Sequence, residues 1–374
     1  MTMALPAKFT ASIPGLVRKK DGALIQYGPI GVDLGRNGLR LVQFVNNGND
    51  LALHASVFVP FSTELHESSK HLRALIKKAF RKNGFVGREV IACVQPEDAK
   101  IMMLSYMHKP GKTDEELIVQ RIAERVDDDI SNYVIDYMMV RPEVSDGQER
   151  SVLVAMAQRD AVINYLEHLR KAGLEVKLLE IEPTAVRRLV SARHDHDHTA
   201  NLVTVSMGNS QTYITVLSGR RLIYERDIDF GEQQLIALLC KELELGELEA
   251  RSMFVRDETA YAKDIEHDGQ DASVTDALYS VLKPLFMELV EDINMALVYA
   301  ASETRGTPVK HVYLTNLIAT WHGIESFVGS LIDVPVSVLM PFEGFDNAET
   351  VDSKSDPRAA VVTGMALHGM TEAV

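Results

Sequence analysis

Two short glycine turns hold the residues whose types and spacing could do chemistry. In the first, Asp33-Leu34-Gly35-Arg36-Asn37-Gly38 interrupts an apolar run and sets a carboxylate beside two glycines. In the second, Ser206 precedes Gly208-Asn209-Ser210-Gln211, again between apolar runs. Glycines let main-chain N–H groups approach an anion without side-chain bulk, so a turn of this kind can cradle a phosphate. A carboxylate such as Asp33 could hold magnesium through water, because that ion keeps most of its hydration shell and needs only one or two protein oxygens. Two such turns facing one cleft would form a nucleotide clamp. The plainer alternative is a pair of hairpin turns, the first with an Asp that bonds its own backbone.

The elements needed to position these turns can be read from the chain. Strands flank the first turn (Ile30 to Leu34, then Leu39 to Phe44). Leu72, Leu75, Ile76 and Phe80 keep helical spacing on an otherwise basic segment, and Val90 to Gln95 returns to strand character. From about Ile101 to Glu182 the order is β-α-β-β-α-β. A capping box, Thr113 with Glu116, opens its first helix, and Gly173 closes its second. Pro183 starts a short helix, and the polar run His194 to Thr199 marks the main domain boundary.

The second half begins as the first does. Strands flank Gly208 to Gln211, and aligning Asp33-Leu34-Gly35 with Ser206-Met207-Gly208 gives an offset of 173 residues, which predicts an internal duplication. Two short helices, an acidic stretch, and a long helix near Asp271 to Ser302 follow, the last with one stripe from Leu278 to Leu297. Strand Val309 to Thr315, a helix, strand Val334 to Leu339 and a helix from Pro357 to His368 complete the order.

Composition narrows the possible roles. At 374 residues, 46% hydrophobic and 25% charged, the chain is globular and long enough for two domains. Acidic residues outnumber basic ones, 53 to 39, and the net charge of −14 disfavours nucleic acid as the main partner. Only Cys93 and Cys240 occur, so a disulfide framework is not expected. The uncharged stretch Thr199 to Gly219 carries Asn201, Asn209 and Gln211, unlike a membrane span. Pro6, Pro14 and the late cluster Arg18, Lys19, Lys20 do not suit a signal peptide.

The run Ile30-Gly31-Val32-Asp33-Leu34-Gly35-Arg36-Asn37-Gly38-Leu39-Arg40-Leu41-Val42 resembles the first phosphate loop of the actin-like ATPase superfamily, and most of all that of the PilM family of type IV pilus assembly proteins. Val152 to Ala157, Glu180-Ile181-Glu182-Pro183, Arg226 to Gly231, Val312 to Thr315 and Leu331 to Val336 keep the family order, so the similarity spans roughly residues 28 to 370. It implies an actin-like (ribonuclease H-like) duplicated α/β fold with an inserted β-α-β-β-α-β subdomain. The expected divisions are a flexible tail 1–27, a first domain 28–200 with the insertion at about 101–177, and a second domain 201–374 with a helical part at about 232–308.

The resemblance also implies ATP with magnesium, held by Asp33, Gly35, Arg36, Asn37 and Gly38, by Gly208, Asn209 and Ser210, and by Thr315 and Asn316. The sequence departs from that pattern at two places. Ser206 stands where relatives carry an aspartate, and Thr315-Asn316-Leu317-Ile318-Ala319 replaces a glycine-rich adenosine motif, so Leu317 and Ile318 are expected to crowd a purine. A degenerate site is therefore expected, with no catalytic residue assigned. The implied role is a cytoplasmic scaffold, peripheral to the inner membrane, that binds the cytoplasmic N-terminal tail of a single-pass PilN-like protein and meets other pilus assembly components.

Rival readings are a working ATPase or small-molecule kinase of the same superfamily, and an FtsA-like protein. The second is disfavoured because Ala359 to Val374 lacks the basic face of a membrane helix. Four further features have bland readings that outweigh the sharp ones. His194-Asp195-His196-Asp197-His198 could bind zinc or nickel but reads as a linker. Met102-Met103 and Met138-Met139 could line a peptide groove but read as core filling. Lys241 to Asp276, with eleven carboxylates and four cations, reads as a solvated face. The basic first twenty residues could touch a membrane but read as a tail.

Overall fold

The computed structural model describes residues 16–18, 24–35, 38–47, 51–61, 69–126, 128–140, 149–194, 199–253, 269–348 and 356–370. Two five-strand paths carry the architecture. The first runs β4 (Leu51–Pro60), β3 (Gly38–Asn46), β2 (Leu24–Gly35), β5 (Glu89–Cys93), β9 (Glu175–Glu180). The second runs β12 (Arg221–Ile228), β11 (Thr212–Ser218), β10 (Asn201–Met207), β13 (Val309–Thr315), β14 (Val336–Val338). Each opens with a three-strand antiparallel meander and continues with two parallel strands on the other side of its first strand. The same order and the same parallel and antiparallel pattern in both halves is the duplication expected from the 173-residue offset. Asp33 lies opposite Arg40, and Ser206 opposite Tyr213.

Outer helices cover one face of each sheet. Leu72, Ile76 and Ala79 of α1 (Ser69–Asn83) and Leu169 of α3 (Arg159–Lys171) pack with Ile30, Val32, Leu39 and Leu41. On the second sheet, α5 (Glu232–Leu243), α6 (Glu247–Ser252), α7 (Gly269–Glu303) and α8 (Ile324–Gly329) pack on Val203, Val205, Ile214 and Val216. The stripe of α7 is buried as its spacing predicts, with Leu282, Phe286, Leu289 and Ile293 at most 1% exposed.

Between the sheets lie α4 (Glu182–Arg193) and α9 (Ala360–Ala366), which pack on each other. α9, encoded in the second half, rests on β2, β3 and β5 of the first sheet, so a division at residue 200 separates the sheets but not the helices between them. Two glycines permit this. A Cβ on Gly364 would overlap the Ala185 carbonyl of α4, and one on Gly31 would overlap the Val362 carbonyl of α9. Arg188 of α4 closes the joint: its guanidinium donates to Glu180 at 2.5 and 2.9 Å and to the Gly364 carbonyl at 2.8 Å.

The insertion is smaller than expected. β6 (Ala99–Met107), β8 (Glu149–Gln158) and β7 (Tyr133–Met139) form their own sheet, with α2 (Asp114–Ala123) on one face. α2 begins at the expected capping box, with Thr113 and Glu116 bonded to each other's backbone amides. The β-α-β-β-α-β order is present, but its last helix and strand, α3 and β9, belong to the first domain. The N-terminal expectation also shifts: β2 starts at Leu24 and pairs with β1 (Leu16–Arg18), within the stretch read as tail.

Candidate functional site

Four elements end at one place. Asp33 stands near the end of β2, Ser206 near the end of β10, Asn316 just past β13, and Glu182 at the first turn of α4. Strand ends of an open α/β sheet and helix N-termini meet where ligands usually bind. Glu182 is the centre of the group and is buried. Its Oε1 accepts from the Ser206 hydroxyl, which forms a short bond, and from Asn316 Nδ2 at 3.0 Å. Asn316 Nδ2 also reaches Ser206 Oγ at 3.4 Å. Asn316 sits in the left-handed region, φ 72°, which turns the chain after β13.

Burial sets the electrostatics. It pushes Glu182 up to about 7, the bonds from Ser206 and Asn316 oppose the shift, and the charge of Asp33 adds to it. Burial likewise raises Asp33, while Arg40, 3.8 Å away and stacked over Phe58, pulls it back. On the sheet face nearby, burial holds Glu225 well above the usual carboxylate range and raises Asp227. The cleft is therefore rich in carboxyl groups, and burial favours the protonated form of both Glu182 and Glu225.

The expected turn residues have different roles. Gly38 is a packing glycine, since a Cβ there would sit 2.5 Å from the Phe58 ring and 2.6 Å from the Val59 carbonyl. Gly35 is under no such demand, the nearest atom to its Cβ position being 3.9 Å away. Arg36 and Asn37 lie outside the described residues. In the second turn the Gly208 amide donates to Gln211 at 2.9 Å. The carbonyls of Gly208 and Asn209 accept from the first amides of α5, Glu232 at 3.1 Å and Gln233 at 2.9 Å. Gly231 packs against Ser210, whose nitrogen would lie 2.7 Å from a Cβ there. Thr315 Oγ1 donates to the Pro357 carbonyl at 3.0 Å and is fully buried.

One expectation needs correction, and one residue joins the site. Ile318 does not crowd the cleft, because it is buried in the second domain's core. Glu182 was not singled out as a site residue. Its only sequence signal is the Glu-Pro pair after a strand, which reads equally well as an ordinary helix start. The histidine cluster gives no metal site among the described residues. His194 Nε2 meets the Tyr313 hydroxyl at 2.9 Å, and Asp195 to His198 lie outside the described residues.

Magnesium and ATP, implied by the superfamily, fit unequally. Asp33 keeps a quarter of its side chain exposed and could hold a hydrated magnesium ion. The phosphates meet a poorer site. Gly208 and the first amides of α5 are spent within the protein, Ser206 is committed to Glu182, and Glu225 and Asp227 add acid rather than cation.

The family model for type IV pilus assembly protein PilM matches residues 31–370. This chain belongs to the PilM family. A solved PilM–PilN type IV pilus biogenesis complex matches 92% of this chain and 99% of its own, at 22% identity and a TM-score of 0.71. The actin-like fold of the family is thus the fold seen here. More distant are an ethanolamine utilization protein EutJ from Carboxydothermus hydrogenoformans (15% identity, 91% and 89% covered, TM-score 0.49) and ADP-bound MreB5 of Spiroplasma citri (12%, 91% and 95%, 0.42). Among the described residues no helix is long and apolar enough to cross a membrane.

Proposed function

We propose that this PilM-family chain is a scaffold at the cytoplasmic face of the inner membrane. It binds the cytoplasmic N-terminal tail of a single-pass PilN-like protein and does not turn over ATP. Family membership over residues 31–370 is the observation that carries this reading, and the structural likeness to a PilM–PilN complex supports the partner class. The spent amides around Gly208 and the commitment of Ser206 to Glu182 support loss of the nucleotide and weigh against a working ATPase or kinase.

The inserted sheet offers a surface for the tail. On its face away from α2, Met103 and Met138 flank buried Leu153 and pack with one side against the core between the sheets, leaving the other side half-exposed, while Met102 and Met139 pack into the subdomain's own core. The exposed sides of two adaptable methionines can seat the apolar anchors of an extended peptide. The test is fluorescence anisotropy with a labelled peptide of the partner's cytoplasmic tail. The wild type should bind saturably, and Met103→Glu with Met138→Glu should weaken binding by about tenfold or more, as loss of a hot spot does. Absence of binding by the folded wild type would overturn the reading.

A further inference from the structure

α1 carries a charge distribution opposite to that of the chain around it. Its fifteen residues, SKHLRALIKKAFRKN, include Lys70, Arg73, Lys77, Lys78, Arg81 and Lys82 and no acid, in a protein of net charge −14. The six are not scattered. Leu72, Ile76 and Ala79 take the buried stripe against the first sheet, and at 100° per residue all six cations fall on the opposite half of the helix. All six are exposed, and none makes an ion pair among the described residues.

The end of α3 shows the setting of the patch. The last turn of α3 lies beside the first turn of α1, where Ser69 Oγ and His168 Nδ1 are 3.2 Å apart, and that turn also carries exposed Arg170. Within α1, Arg73, Lys77 and Arg81 stand four residues apart, as do Lys78 and Lys82, so like charges face each other along the helix. Such spacing destabilises an isolated helix. Folding gains nothing from it, whereas an external anion would.

We propose that this face of α1 docks directly on an anionic lipid surface, giving the scaffold a second, electrostatic hold on the membrane beside its protein partner. Clusters of four to eight Lys or Arg on one amphipathic helix suit anionic headgroups, and the contact needs no apolar insertion. Charge complementarity selects the occupant class. A ridge without exposed aromatic side chains, on an otherwise acidic chain, offers nothing to read or stack nucleic-acid bases. The inference rests on the scaffold reading, since a membrane-tethered partner would bring α1 to the bilayer.

Vesicle flotation of the full chain without any partner separates the two claims, because tail binding is read with peptide and no lipid. The chain should float with vesicles of phosphatidylethanolamine and phosphatidylglycerol, and not with pure phosphatidylcholine. Binding should vanish as the screening length falls from about 10 Å at 0.1 M salt to about 3 Å at 1 M. At about fivefold per charge, Lys77→Glu, Lys78→Glu and Arg81→Glu together should lower partitioning by about a hundredfold or more. The three side chains are exposed, so thermal melting should report an intact fold. A control reversing Lys109, Lys112 and Arg121 should keep binding. No flotation at low salt, equal binding to phosphatidylcholine, or equal loss in the control would each overturn the proposal. So would duplex DNA or a second copy of the chain binding α1 more tightly than the anionic vesicles.

Discussion

Replacing Glu182 with glutamine should change how stability depends on pH, in a direction fixed by the cleft. In the folded protein burial holds Glu182 near 7, whereas an exposed glutamate titrates near 4.5. Between those values the folded state keeps a proton that the unfolded chain releases, so the wild type loses stability as pH rises through the window. At 1.36 kcal/mol per pH unit the loss from this residue is roughly 3 kcal/mol. Glutamine keeps the oxygen that accepts from Ser206 and Asn316 but cannot ionise. Urea unfolding of both proteins at pH about 5 and about 8 isolates the effect, because Glu225 and every other group contribute to both. The variant should gain roughly 3 kcal/mol on the wild type between the two conditions. A difference that stays constant within about 0.5 kcal/mol would refute the assignment of Glu182 as a buried, proton-holding centre.

Four further outcomes follow from the packing between the sheets and on the inserted subdomain. Arg188→Ala strands Glu180 in a buried position and should cost about 3–5 kcal/mol, measured by chemical denaturation, with Glu180→Gln in the same chain recovering most of it. His368 and Arg188 overcome the effect of burial and hold Glu180 below 4.5, so its contribution should be full above that pH and fade as pH falls beneath it. Gly364→Ala should cost about 3 kcal/mol or more, because the added methyl meets the backbone of α4 rather than a side chain that can swing away; an unchanged melting temperature would refute the helix contact. In the tail-peptide assay, Met102→Ala should leave affinity unchanged while Met103→Ala lowers it, since the two face opposite sides of the inserted sheet; equal effects would refute the assigned face.

Local chemistry and repetition were readable in the chain. Thr113 and Glu116 announce the cap of α2, and the offset between Asp33 and Ser206 announces two sheets of one pattern. Contacts between distant segments were not. Residues 360–367 are apolar on every side but for Thr363, which predicts burial but not that α9 crosses to the first sheet. α3 follows directly on β8, so its pattern resembles one more element of the insertion until Leu169 is seen packed with Leu72. Ile318 reads as an obstacle to a purine because periodicity cannot tell which way a short turn points its side chains. Glu182 was legible as a residue and illegible as a site, since its importance comes from Ser206 and Asn316, 24 and 134 positions away.

In the function proposed above, the two halves meet across a cleft at Asp33, Glu182, Ser206 and Asn316 that has stopped serving a nucleotide. Calorimetric titration of the purified chain with Mg-ATP tests it most directly. No saturable heat should appear at millimolar nucleotide. Saturable binding that Asp33→Ala abolishes without unfolding the chain would contradict it.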